Sequence, residues 1–167
     1  MTNSLKIVLA LVVILTGCNK RIETSNLLLG SWSIEEIQWI SNDTTVQRKP
    51  EQKGLLLITP ERYSLSWTPI EKHRKPFQSL SNPTDNEVLE GFKTIVFNMG
   101  SYNVSNSEFV TKSHLSKVLG FEGGMQYFKF EVTDNKMVLI LFDETYPNGE
   151  KPDWYGKWET KFSLARL

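Results

Sequence analysis

Few side chains in this sequence could do chemistry, and their spacing limits what that chemistry would be. The one thiol, Cys18, stands just beyond an apolar run from Ile7 to Leu15. As the only cysteine it has no disulfide partner within the chain and no thiol companion for a metal. The two imidazoles, His73 and His114, lie 41 positions apart and do not form a metal motif by themselves. His73 sits among Glu71, Lys72, Arg74 and Lys75, a mixed-sign stretch that reads as a wet loop. There is no Gly-x-Ser-x-Gly elbow, no His-Glu-x-x-His pair and no glycine-rich phosphate loop between a strand and a helix. No residue is therefore assigned a catalytic role, no metal or cofactor is expected, and enzymatic activity is the least favoured reading. Asp143, Glu144, Glu150 and Asp153 gather late in the chain without the regular oxygen-ligand spacing of a calcium loop, so they read as solvated carboxylates. What remains is a set of aromatic side chains. Tyr63, Trp67 and Tyr102, with His114 beside them, are the candidates to line a small-molecule cavity; ordinary core is the alternative role for the aromatics.

The elements that would position them are strands. Trp32 and Ile34 lie two apart, whereas Ile37 and Trp39 fall on the opposite parity, which predicts one strand with a bulge near Glu35 and Glu36. A helix over Ser33 to Ile40 is the competing assignment. Ser41 to Lys53 is polar and reads as a loop. Gly54 to Thr59 and Tyr63 to Trp67 form the clearest hairpin, with Tyr63, Leu65 and Trp67 on a buried face and Arg62, Ser64 and Ser66 on a wet one. Pro69 to Asn82 is a long connection. Thr84 and Glu87 then match a capping box, predicting one or two helical turns as far as Gly91. Beyond Lys93 the chain reads as strands. Ile95, Phe97 and Met99 share a face, and a bulge at Gly100 hands that face to Tyr102 and Val104. Glu108 to Leu115, Met125 to Thr133, Met137 to Phe142 and Trp158 to Leu167 follow, with a loop from Asp143 to Lys157 and a rim loop at Gly120 to Gly124. Eight or so antiparallel strands with one short helix predict an all-β, up-and-down closed barrel, since closure removes exposed edges.

Composition agrees with this picture. The chain is 40% hydrophobic and 11% aromatic, which excludes a disordered chain and favours strands. Nineteen basic residues balance nineteen acidic ones, so a nucleic-acid surface, which needs a clustered basic excess, is not expected. The run from Ile7 to Leu15 is too short for a bilayer span of ~20 residues but has the length of a signal-peptide core. Residues 1–17 are read as a leader, 18–26 as a polar tether and 27–167 as one domain.

Two resemblances sharpen the reading. Leu15-Thr16-Gly17-Cys18 resembles the lipobox of bacterial lipoproteins. That resemblance implies acylation of Cys18, including palmitate-type chains, and an anchor in the membrane of the cell envelope. The alternative is an ordinary signal peptide or anchor helix with an incidental cysteine. Asn19 is not the aspartate associated with inner-membrane retention in some bacteria, which favours the outer membrane. Gly30-Ser31-Trp32 opening the first strand, with Arg166 on the inward face of the last, is similar to the lipocalin pattern, in which such a pair closes one end of the barrel. The hairpin from Gly54 to Tyr63, the Gly100 to Val104 segment and His114 resemble the bacterial lipocalin-like domain family, although this chain turns its hairpin through Glu61-Arg62 rather than Asp-Gly. The resemblance implies a lipocalin-like barrel with a cavity open at one end. The expected function is binding of a small apolar or amphipathic ligand. A filled barrel acting through loops, with Tyr146, Trp154 and Tyr155 as the residues to inspect, is the second reading; an isomerase or hydrolase of a bound lipid is the third.

Overall fold

The computed structural model describes residues 27–105 and 108–167, so the leader, the lipobox and the tether lie outside the described residues. Among the described residues nine strands and one complete helix follow in chain order: β1 (Gly30–Ile40), β2 (Thr45–Arg48), β3 (Gly54–Ile58), β4 (Arg62–Trp67), α1 (Asp85–Lys93), β5 (Val96–Ser105), β6 (Glu108–Ser116), β7 (Met125–Val132), β8 (Lys136–Thr145) and β9 (Glu159–Arg166). From β3 onward each strand pairs antiparallel with the next, and β9 returns to β1 along nearly its whole length. On the other side of β1, β3 pairs with Gly30 to Ile34 and β2 with Ile37 to Ile40. β2 and β3 thus share one place in the wall, making a closed antiparallel barrel of eight positions. The shared place is broken around Pro50, which has no N–H to give to a ladder. Glu51 N–H instead donates to the Glu71 carbonyl at 2.7 Å.

β1 is a strand rather than a helix, and it bulges between Ile34 and Glu36. The bulge lets Trp32, Ile34 and Ile37 all face inward despite their change of parity, and all three are fully buried. The segment read as a loop from Ser41 to Lys53 contains β2. Its four residues are short and largely exposed, so no burial pattern marks them in the sequence. The hairpin forms as expected, with Tyr63 and Leu65 buried. α1 carries the capping box: Glu87 N–H donates to Thr84 Oγ1 at 3.4 Å, and Thr84 N–H donates to the Glu87 carboxylate at 2.9 Å. The helix runs two residues beyond the expected Gly91, to Lys93, and none of its residues is buried.

Two strands differ from the sequence reading in a way that matters below. β5 has no bulge of its own; β6 carries the extra residue, His114, opposite Met99 and Gly100. The inward row of β5 is consequently Asn98, Gly100, Tyr102 and Val104, while Met99 is exposed. An alanine Cβ at Gly100 would lie 1.9 Å from the Lys112 carbonyl oxygen, so the bulge closes only around a glycine. β8 runs on to Thr145, which takes Asp143 and Glu144 out of the expected loop and into the wall.

The core fills the barrel from the end where β1 begins. Tyr63, Phe109 and Phe128 meet there edge to face or tilted, with ring centroids 6.0 to 6.3 Å apart. Trp39, Trp67 and Phe162 form a second aromatic group nearer the other end.

Candidate functional site

One end of the barrel is sealed. Trp32 Nε1–H donates to the Leu28 carbonyl at 2.8 Å, and the Arg166 guanidinium lies 4.1 Å from the Trp32 ring centroid. Arg166 also donates to the carbonyls of Leu29, at 2.8 Å, and Leu27, at 2.6 Å, and to that of Asp134. One planar cation on β9 thereby binds the segment from Leu27 to Trp32 and the turn between β7 and β8 at the closed end. Tyr102 belongs to this end: its hydroxyl donates to the Thr59 carbonyl at 2.7 Å.

The opposite end is open. The register sets the starts of β5 and β7 and the ends of β6 and β8 side by side there. Between them and the two loops that follow β6 and β8 lies a cavity of about 590 Å³. Its walls include Val96, Phe97, Val118, Leu119, Phe121, Tyr146 and Pro147. Phe121 and Tyr146 meet edge to face at 6.2 Å and tie the two loops together.

Its polar lining is a chain of side chains across the barrel wall. Asn98 Nδ2–H donates to Gln126 Oε1 at 2.9 Å, and Gln126 Nε2–H donates to Glu144 Oε2 at 2.7 Å. The direction of the chain follows from its last member. A carboxylate can only accept, so the Gln126 amide turns its NH₂ towards Glu144 and its oxygen towards Asn98. Asn98 then answers with its own NH₂, and its Oδ1 is left buried without a partner. Asn98 is 5% exposed, so this is an acceptor that bulk water does not serve freely. Burial raises the Glu144 carboxyl above the usual carboxylate range; the Gln126 hydrogen bond opposes the rise and the Asp143 charge adds to it. No lysine, arginine or histidine among the described residues forms an ion pair with Glu144, since Lys151 binds Asp143 instead, at 2.7 Å. Lys117, the cation on the cavity wall, places its ammonium 4.3 Å from the Phe92 ring centroid. Deeper in, the Tyr63 hydroxyl and Ser113 Oγ are also buried without a fully formed hydrogen bond. Desolvation pushes the Tyr63 phenol up to about 12, Thr111 opposes this, and the Glu144 charge adds to it.

The four ligand-lining candidates from the sequence are not brought together. Tyr63 is core. Trp67 borders a separate recess of about 130 Å³ with Gly54, Thr68 and Arg74. Tyr102 lies at the sealed end. His114, as the extra residue of the β6 bulge, is exposed on the outer wall, where Nε2 lies 3.2 Å from Ser101 Oγ. None of the four borders the large cavity. Glu144, read as solvated, instead faces inward. Part of this polar row carried a sequence signal: Gln126 shares the parity of Phe128 and Phe130, and Asn98 that of Tyr102 and Val104, so each is a polar residue on an apolar face. Glu144 carried none, because a bulge opposite Tyr127 and Phe128 shifts its parity relative to Met137 and Leu139.

No family model matches this chain, and no curated relative does. Among solved structures it is similar to a lipocalin-like protein from Bacteroides uniformis, at 14% identity and a TM-score of 0.42, over 84% of this chain and 99% of that one. An uncharacterized protein from Bacteroides eggerthii aligns with 15% identity and a TM-score of 0.42, over 83% of this chain and 98% of the other. The barrel assignment rests on the strand order and closure described above.

Proposed function

We propose that the protein is a binding module, anchored to the bacterial cell envelope through acylated Cys18, that holds one small amphipathic molecule in the mouth of its barrel. The observation that carries this reading is the cavity of about 590 Å³ with apolar walls and a polar row. That volume lies within the ~300–1,000 Å³ typical of small-molecule sites. The rest of the interior is filled by its own side chains, so the ligand sits at the mouth rather than deep in the barrel. The lipid anchor and its placement in the outer membrane rest on Leu15-Thr16-Gly17-Cys18 and Asn19. The test is native mass spectrometry of the chain from Asn19 onward, which keeps every described residue and hence the whole closed barrel. A stoichiometric small-molecule passenger that is lost on Leu119→Asp or Phe121→Ala supports the reading. An empty protein that takes up no apolar fluorescent probe overturns it. Metabolic labelling of the full chain with a palmitate analogue, abolished by Cys18→Ala, tests the anchor.

Glu144 favours a second reading, an enzyme acting on the bound molecule. A carboxyl with a raised pKa beside a cavity is placed for proton transfer. Chemical change of the extracted passenger during incubation, abolished in Glu144→Gln, would establish it.

A further inference from the structure

We infer that the polar row of the mouth selects a cationic head: the ligand is an amphipathic amine whose ammonium group is held by Glu144, at the end of the row that begins at Asn98. This rests on the binding-module reading and assigns the chemistry of the head. The argument is a count of donors and acceptors. Gln126 uses both ends of its amide within the row, donating to Glu144 and accepting from Asn98. Two acceptors remain, the unpartnered Asn98 Oδ1 and the second oxygen of the Glu144 carboxylate, and both residues border the cavity. A ligand that meets this row must bring hydrogen-bond donors. A carboxylate or phosphate head would set acceptor against acceptor and anion against anion. An alcohol would serve one of the two acceptors, whereas an ammonium carries three donors and the charge that Glu144 lacks among the described residues. Lys117 does not fill that place, because its ammonium lies over Phe92. The apolar part of the molecule would run outward along Phe121, Val118 and Leu119. Leu119 is 90% exposed, a large apolar side chain in water until something covers it.

Isothermal titration of the chain from Asn19 onward at neutral pH with dodecylammonium, dodecanol and dodecanoate, each below its micelle concentration, decides the matter. The expected order is dodecylammonium first, with dodecanoate weaker by about tenfold or more. Glu144→Gln should cost the amine about tenfold and dodecanol much less, because the amide keeps an acceptor oxygen while losing the charge; retained dodecanol binding also shows that the variant is folded. Asn98→Leu, which removes the unpartnered Oδ1 together with the hydrogen bond to Gln126, should weaken the amine again and dodecanol less. Equal binding of all three probes, or preference for dodecanoate, overturns the cationic head while leaving the binding module standing. Binding of none of them overturns both. Displacement of bound dodecylammonium by phosphatidylethanolamine vesicles, but not by phosphatidylglycerol vesicles, would assign the ammonium to a lipid headgroup; its absence would assign it to a free amine.

Discussion

The two ends of this barrel handle polar groups in opposite ways. At the sealed end Arg166 uses its guanidinium to satisfy the carbonyls of Leu27, Leu29 and Asp134 while stacking on Trp32, and Tyr102 satisfies Thr59. At the mouth, a row of equally inward side chains ends with an acceptor on Asn98 that no group among the described residues meets. Buried polar groups left unmet cost stability; of the three unmet atoms among the described residues, Asn98 Oδ1, Ser113 Oγ and the Tyr63 hydroxyl, only that of Asn98 belongs to a residue bordering the mouth cavity. The difference sets a closed end tied by Arg166 against a mouth whose polar row is where the proposed ligand would sit.

That contrast can be broken in steps of falling size. Trp32→Ala removes a fully buried indole from the sealed end and strips Arg166 of its platform. A loss of about 3–5 kcal/mol is expected, read by urea unfolding. A loss below 1 kcal/mol would mean that the seal contributes little to the fold.

The mouth should behave in the reverse sense. Burial raises the Glu144 carboxyl above its ordinary 4.5, so the folded state holds this proton more tightly than the unfolded chain does. Stability from this group is present at acid pH and is lost as pH rises from the unfolded value through the raised one. Glu144→Gln should therefore raise the melting temperature of the empty protein at about pH 8, with the gain shrinking towards about pH 4.5. A thermal-shift series over that window checks it, and a variant less stable at high pH would show that the carboxylate is structurally paired after all. Glu35 and Glu87 are shifted the other way, by Lys53 and by the Gln78 N–H with the capping hydrogen bonds of Thr84 respectively, and their contributions fade alike in both proteins as pH falls. The difference between variant and parent isolates Glu144.

The smallest effect belongs to His114. On the outer wall, where its ring meets Ser101 Oγ, its replacement by alanine should change stability by no more than about 0.5 kcal/mol and leave probe binding intact. Reduced binding in that variant would mean that the outer wall communicates with the mouth.

Much of the barrel was legible in the chain. Alternation in Tyr63, Leu65 and Trp67 and in Phe162, Leu164 and Arg166, the parity change across Glu35 and Glu36, and the Thr84 to Glu87 box are local patterns. A strand, a bulge and a helix cap are each set by residues a few positions apart. The link of Trp32 to Arg166 was readable only through the lipocalin pattern. The site was not legible in the same way, because its members come from β5, β7 and β8. Asn98 and Gln126 stand 28 positions apart and meet only through strand register. Two bulges, one on β6 and one on β8, decide which parity faces inward, and they sent His114 out and Glu144 in. A bulge on one strand is recognised by its mismatch with the partner strand, so its consequence for facing is a property of the pair. The sequence by itself therefore determined the strands other than β2 and the helix cap, each from residues close together in the chain. Only the tertiary structure decided which end stays open and which carboxylate looks into it, because inward facing depends on register across strands far apart in the chain.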